Sequence, residues 1–203
     1  MYYRLFKSFY GMAAKRMCRD CENFIKKDSK ILDLGCGSAI TGKEFKEFFR
    51  ANIIGIDIKD RRVEKIPFQI FDGKTLPFPE NSFDVVLINY VLHHSRDPIA
   101  LLREAKRVTR DKIIIFEDLA EGCLSKLFCW LHGISFDKLF GNPTKTSFNT
   151  ELPKEAKVKM RTKFSFASEK GWKKIFNNIG LKLIFQKRIN NFPVKKELFV
   201  LGA

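Results

Sequence analysis

No stretch of this sequence approaches the roughly 20 consecutive apolar residues needed to cross a bilayer, so no membrane-spanning helix is expected. The first residues, MYYRLFKSFYGMAAKRM, have Arg4 and Lys7 interrupting any apolar run, so a secretory signal is not expected either. Cysteines are few and odd in number. Cys18, Cys21, Cys36, Cys123 and Cys129 suggest no disulfide framework, which favours a reduced, cytoplasmic setting. The pair Cys18-x-x-Cys21 puts two thiols near one helix face, but no second Cys/His pair at zinc spacing accompanies it. His132 lies near Cys123 and Cys129 in a stretch that reads as amphipathic packing, so no metal site is expected. Internal repeats and low-complexity linkers are also lacking. What remains, 203 residues of which 45% are hydrophobic, reads as one globular domain with a substantial core.

Acidic residues are the scarcer charge, 23 against 38 Lys and Arg, leaving a net +15. From Lys154 to Lys196, thirteen Lys/Arg stand against Glu155 and Glu169, a net +11. Such a quarter attracts anions: lipid headgroups, nucleic acid or an acidic substrate. The alternative is a plain lysine-rich composition bias.

Hydrophobic periodicity orders the chain as alternating helices and strands. Residues 2–27 read as a helix with Leu5, Phe6, Phe9, Ala13 and Met17 on one face. Strands are expected at Lys30–Leu34, Asn52–Asp57, about Phe68–Phe71, Phe83–Asn89 and Lys112–Glu117. A helix over Thr41–Arg50 would bury Phe45, Phe48 and Phe49. Another, from about Asp97 to Thr109, would bury Leu101, Leu102, Ala105 and Val108. From Leu119 to Phe166 the rhythm breaks, beginning with an amphipathic stretch (Leu124, Leu127, Phe128, Leu131). It resumes with helix Ser168–Asn178 and strands Leu181–Ile189 and Lys196–Leu201. The turn Asn190-Asn191-Phe192-Pro193 between them is too short for anything but an antiparallel pair. The expected fold is therefore α/β, a doubly wound Rossmann-like seven-stranded sheet, mostly parallel with an antiparallel C-terminal hairpin and helices on both faces. One domain over 1–203 would comprise an N-terminal helical cap (1–28), a cofactor-binding half (29–118), an insertion over the acceptor cleft (119–166) and a closing helix and hairpin (167–203).

The chemistry lies where the first strand meets its helix. ILDLGCGSAITG, Ile31 to Gly42, runs from strand through a glycine turn into a helix, and fifteen residues past Gly42 the second strand ends on Asp57. Glycines let the backbone approach a ligand, the helix N-terminus offers N–H groups, and a carboxylate can hold ribose hydroxyls. A dinucleotide turn, G-x-G-x-x-G, would need glycine at position 40, where Ile40 stands. The run D-x-G-x-G, Asp33 to Gly37, instead resembles motif I of the class I S-adenosylmethionine-dependent methyltransferases. FDGKTLPFPENSFDVVLINYVLHHSRDP, Phe71 to Pro98, and Arg103-Glu104-Ala105-x-Arg107-Val108 are similar to the ubiquinone/menaquinone-biosynthesis-type members.

The resemblance implies S-adenosylmethionine as cofactor, with S-adenosylhomocysteine as product. It implies that Asp33, Gly35 and Gly37, with Cys36 inside the same turn, border its amino-acid end. Asp57 would accept from the ribose hydroxyls and Ile58 would pack on adenine. Asp72 with Gly73 would address the adenine edge, and Asn89 would lie under the methionyl part. Three departures stand out. Ala39 replaces a third glycine, Thr109-Arg110-Asp111 replaces a Pro-Gly-Gly turn, and only fourteen residues separate Asp57 from Asp72, so the helix between strands two and three is shortened or missing.

Methyl transfer is an in-line displacement in which the protein aligns the partners and excludes water. If the acceptor must lose a proton, His93 and His94 are the candidate catalytic residues, one facing the cleft and the other holding the loop. Glu117 and Asp118 are second-rank candidates, as substrate-positioning or loop-capping groups. The favoured acceptor is a small or lipid-like molecule, with the basic quarter and the N-terminal helix able to rest on an anionic membrane from the cytoplasmic side. RNA modification through the basic quarter is the alternative. Against it, strand four runs into Asn89-Tyr90-Val91-Leu92 rather than an Asn/Asp-Pro-Pro-aromatic clamp for a flipped base, and no Pro-Cys pair of the cytosine-C5 kind occurs. A third reading is an inactive methyltransferase-like binding protein.

Overall fold

A computed structural model describes residues 6–95, 97–129, 131, 166–190 and 192–203. Most of the expected insertion at 119–166 lies outside the described residues.

The elements in chain order are α1 (Lys7–Asp20), β1 (Lys30–Leu34), α2 (Ile40–Phe49), β2 (Asn52–Asp57), β3 (Phe68–Ile70) and β4 (Phe83–Asn89). After a 3-10 turn at Leu92–His94 come α3 (Pro98–Val108), β5 (Thr109–Leu119), α4 (residues 123–129), α5 (Glu169–Asn178), β6 (Lys182–Asn190) and β7 (Lys195–Gly202). The seven strands form one sheet in the order β3-β2-β1-β4-β5-β7-β6. β1 pairs in parallel with both β2 and β4, β2 pairs in parallel with β3, and β6 and β7 are antiparallel. This is the α/β sheet expected, with flanking helices and the antiparallel pair at the C-terminus.

Strands covered on both faces are near-continuous apolar runs, as parallel strands must be. Ile31, Leu32 and Leu34 of β1, Val85 to Ile88 of β4 and Ile113 to Phe116 of β5 are all buried. The helices carry stripes: Leu101, Leu102, Ala105 and Val108 of α3 are buried, as are Trp172, Ile175 and Phe176 of α5.

The chain divides into two compact units. The first holds residues up to Asn89, Glu104–Ile114 and Ala203; the second holds Tyr90–Arg103 and Ile115–Gly202. In the first, α1 packs on α2, and Glu104 ties α3 to the loop before β4 by accepting from Leu76 N and pairing with Arg107. In the second, Arg188 pairs with Glu169 and Glu197, and Lys195 with Glu121.

Three expectations need correction. The N-terminal helix stops at Asp20, and it buries Ala14, Met17 and Cys18 while Phe6 and Phe9 stay exposed. Apolar residues occupy more than one stripe of α1, so periodicity alone chose the wrong face. In α2, Phe45 and Phe49 are buried but Phe48 is exposed, its ring edge-on to Phe49 at 4.9 Å. In α4 the expected stripe of Leu124, Leu127 and Phe128 is exposed, and Ser125 and Cys129 face inward. As expected, the segment between β2 and β3 contains no helix.

Candidate active site

The glycine turn after β1 is built by backbone geometry. Gly35 and Gly37 take φ of +75° and +51°, a region open to glycine and strained for other residues. Gly35 N and Cys36 N both donate to the carbonyl of Ile56 at 2.8 and 3.1 Å, tying the turn to the neighbouring strand. Asp57, at the end of β2, finishes the link: its Oδ2 accepts from Gly37 N at 2.9 Å and its Oδ1 from Ile58 N at 2.7 Å. Ala39 follows with φ +61°, so the residue in place of a third glycine also sits in the left-handed region.

Two further glycines are needed for close approach. A Cβ on Gly42 would come within 2.5 Å of Asp33 Oδ2, and one on Gly55 within 2.8 Å of Cys36 Sγ. Neither carried a role in the sequence reading. The available signal was a glycine in the first turn of an otherwise good helix, a poor helix former that implies a packing reason.

The polar groups of this unit gather at the carboxyl ends of β1, β2 and β4. Asp33 is buried, and its Oδ2 has no hydrogen-bond partner among the described residues. Burial first, and the charge of Asp57 second, push its carboxyl up to about 7. Asn89 donates from Nδ2 to Thr41 Oγ1 at 3.0 Å, while its buried Oδ1 is likewise unpartnered. Both unpartnered atoms are acceptors, so the complementary group is a donor, preferably a cation. Cys36 is a buried thiol pushed above its usual range by burial and by Asp33 and Asp57, which leaves it inert.

Ile58 is exposed and lies beside Gly73, where an added Cβ would meet Ile58 Cγ2 at 3.1 Å. Gly73 has φ +78°. Asp72 closes its own turn: Oδ1 accepts from Lys74 N and Thr75 N at 2.8 and 3.0 Å, and these amides hold its pKa below the usual value. The loop between β2 and β3 is fastened by polar groups. Val63 N and Glu64 N donate to Ser38 O, Glu64 pairs with Lys7 and Lys43, and Arg62 pairs with Asp60 and lies over the Phe68 ring at 4.3 Å.

In the second unit, His93 is buried and Glu117 wholly so. Nδ1 of His93 is in short contact with Glu117 Oε1, which also accepts from Asp118 N at 2.9 Å. The other oxygen, Oε2, accepts from Leu92 N at 3.1 Å. Burial alone would lower the His93 pKa; Glu117, with Asp118 behind it, outweighs that against the opposing Lys196 and leaves it raised. The imidazole also stacks on Phe166 at 4.6 Å and touches the half-buried His94 at 4.0 Å. Of the two histidines, then, His93 is anchored in the loop.

Comparison with known proteins points the same way. Residues 32–116 match the methyltransferase domain family. An uncharacterised methyltransferase of Schizosaccharomyces pombe is 31% identical over 106 residues, covering 43% of this chain and 38% of that protein. A demethylmenaquinone methyltransferase of Corynebacterium efficiens is 36% identical over 91 residues, 42% of this chain and 39% of that protein. The chain thus aligns with about two fifths of the length of these relatives. Among solved structures, a SAM-dependent methyltransferase from Aquifex aeolicus superposes with a TM-score of 0.64 at 13% identity, covering 93% of this chain and 88% of that one. Residues 32–116 thus match a methyltransferase domain, and the chain shares its overall fold with a solved SAM-dependent methyltransferase.

Proposed function

We propose that this chain transfers a methyl group from S-adenosylmethionine to a small-molecule or lipid-like acceptor. The observation that carries the reading is the buried, unpartnered Asp33 Oδ2 beside the glycine turn. A carboxylate in that setting calls for a cationic donor, and the cofactor's ammonium is one. Asn89 Oδ1 offers a second acceptor at the end of the neighbouring strand. Asp57 keeps lone pairs for ribose hydroxyls after its two backbone contacts, and Ile58 with Gly73 forms an apolar ledge suited to adenine. Asp72 belongs to the same loop, with Oδ2 left for the adenine edge.

When bound, the cofactor supplies a methyl group made electrophilic by the sulfonium. The chain's own part is alignment and exclusion of water, with the acceptor over the carboxyl ends of the strands. If a proton must leave the acceptor, His94 is the candidate base, because His93 is committed to Glu117. The resemblance to a quinone-biosynthesis enzyme supports a small apolar acceptor. The described part of the basic quarter supports RNA less well, since Lys173, Arg188, Lys195 and Lys196 all pair with acids of the same unit.

Two measurements test the reading. Titration calorimetry with S-adenosylmethionine should show binding that Asp57→Ala abolishes; a wild type that does not bind at all would overturn it. Cell extract incubated with methyl-labelled cofactor should place label in the organic or small-molecule fraction. Label confined to RNA would replace the acceptor named here.

A further inference from the structure

Helix α1 buries Ala14, Met17 and Cys18 and turns a second face outward. Phe9 is 63% and Met12 57% exposed, well beyond what a packed aromatic or thioether shows. Lys15, Arg16 and Arg19 are exposed along the same side. Helical spacing sets Met12, Arg16 and Arg19 in one row, with Phe9 and Lys15 flanking it. Among the described residues none of these three cations has a carboxylate within ion-pairing distance, whereas Lys7, nearer the packed side, pairs with Glu64.

We propose that this face of α1 docks on an anionic lipid bilayer, the helix lying in the plane of the interface. An aromatic and a flexible thioether can enter the acyl boundary while long basic side chains reach the headgroups, which is how interfacial helices bind. The chain's net charge of +15 adds long-range attraction to such a surface. Charge complementarity selects this occupant. A second copy of the chain would set three cations against three, and a phosphate backbone would leave Phe9 and Met12 without a role. The surface is separate from the residues assigned to cofactor binding, so the two readings stand or fall independently.

The test is co-sedimentation with phosphatidylcholine vesicles with and without phosphatidylglycerol, across a salt series. Wild type should bind the anionic vesicles, lose affinity as salt rises and stay in the supernatant when the vesicles are neutral. At about five-fold in partitioning per cation, Lys15→Gln/Arg16→Gln/Arg19→Gln should weaken binding on the order of a hundred-fold. Phe9→Ser/Met12→Ser should weaken it at least ten-fold even at low salt. All five side chains are exposed, so both variants should keep the wild-type melting temperature and cofactor affinity. Absence of sedimentation with anionic vesicles, or sedimentation indifferent to both variants, would overturn the proposal. So would a dimer in light scattering that Phe9→Ser/Met12→Ser dissociates, or retention of RNA but not vesicles.

Discussion

Asp33 carries a conflict that a proton or a cationic ligand would resolve. A buried carboxyl with an unpartnered oxygen destabilises the free protein, because the charged form has lost water without gaining a partner. With its pKa up at about 7, the native state holds a proton between about pH 4 and 7 that the unfolded chain has released. Stability from this group is therefore lost as pH rises across that window. Asp33→Asn should raise the melting temperature of the free protein at pH 8 while lowering affinity for S-adenosylmethionine at least ten-fold. A variant that binds normally would show that the carboxylate meets no cation. Much of this residue-scale chemistry was legible, since Asp-x-Gly-x-Gly after an apolar strand needs positive φ at both glycines, and both have it. The contacts that require Gly42 and Gly55 were not, because they involve side chains distant in sequence.

At the scale of elements, the strands were legible because burial on both faces leaves an uninterrupted apolar run. Helix faces were less so: α1, α2 and α4 each carry more apolar residues than one stripe can bury, and the partner decides which stripe wins. Helix ends also hide local strain. Arg50 closes α2 at φ +51° while exposed, a position suited to glycine. Arg50→Gly should stabilise the fold by about 0.5–1 kcal/mol, visible as a higher urea midpoint with an unchanged m-value. The 3-10 turn after β4 depends on one side chain: Glu117 meets Leu92 N, the His93 ring and Asp118 N. The sequence offered loop capping as one of two roles for it, and nothing local in a strand-end acid shows that the loop it caps is the one before the preceding helix. Glu117→Gln keeps the shape but removes the charge, and should cost about 2–4 kcal/mol. The raised His93 pKa means that this stabilisation is complete below about pH 6.5 and fades as pH rises through the folded-state value. Wild type and Glu117→Gln melting temperatures should therefore draw together as pH rises above about 6.5; a constant gap would show that His93 does not titrate with Glu117.

For the whole molecule, Asp33 and His93 slope the same way, so the free protein should be most stable in mild acid. A cationic ligand reverses the Asp33 part, because it needs the carboxylate ionised. The rise in melting temperature given by saturating S-adenosylmethionine should be several degrees larger at pH 8 than at pH 5.5, measured by scanning fluorimetry in matched ionic strength. Equal shifts at the two pH values would separate the ligand's charge from Asp33. The identity of the acceptor was not legible at this scale, because the recognisable motifs lie within residues 31–117 while the stretch at 119–166 has none.

The loop between β2 and β3 has a consequence for experiment. Its amides at Val63 and Glu64 are held by one carbonyl, that of Ser38 inside the glycine turn, and its side chains by ion pairs together with the buried Ile66. Those two amide protons thus report on the turn from outside it. Deuterium should enter both together whenever the turn loosens, faster at high ionic strength, and a ligand seated on the glycines should slow both without touching either residue.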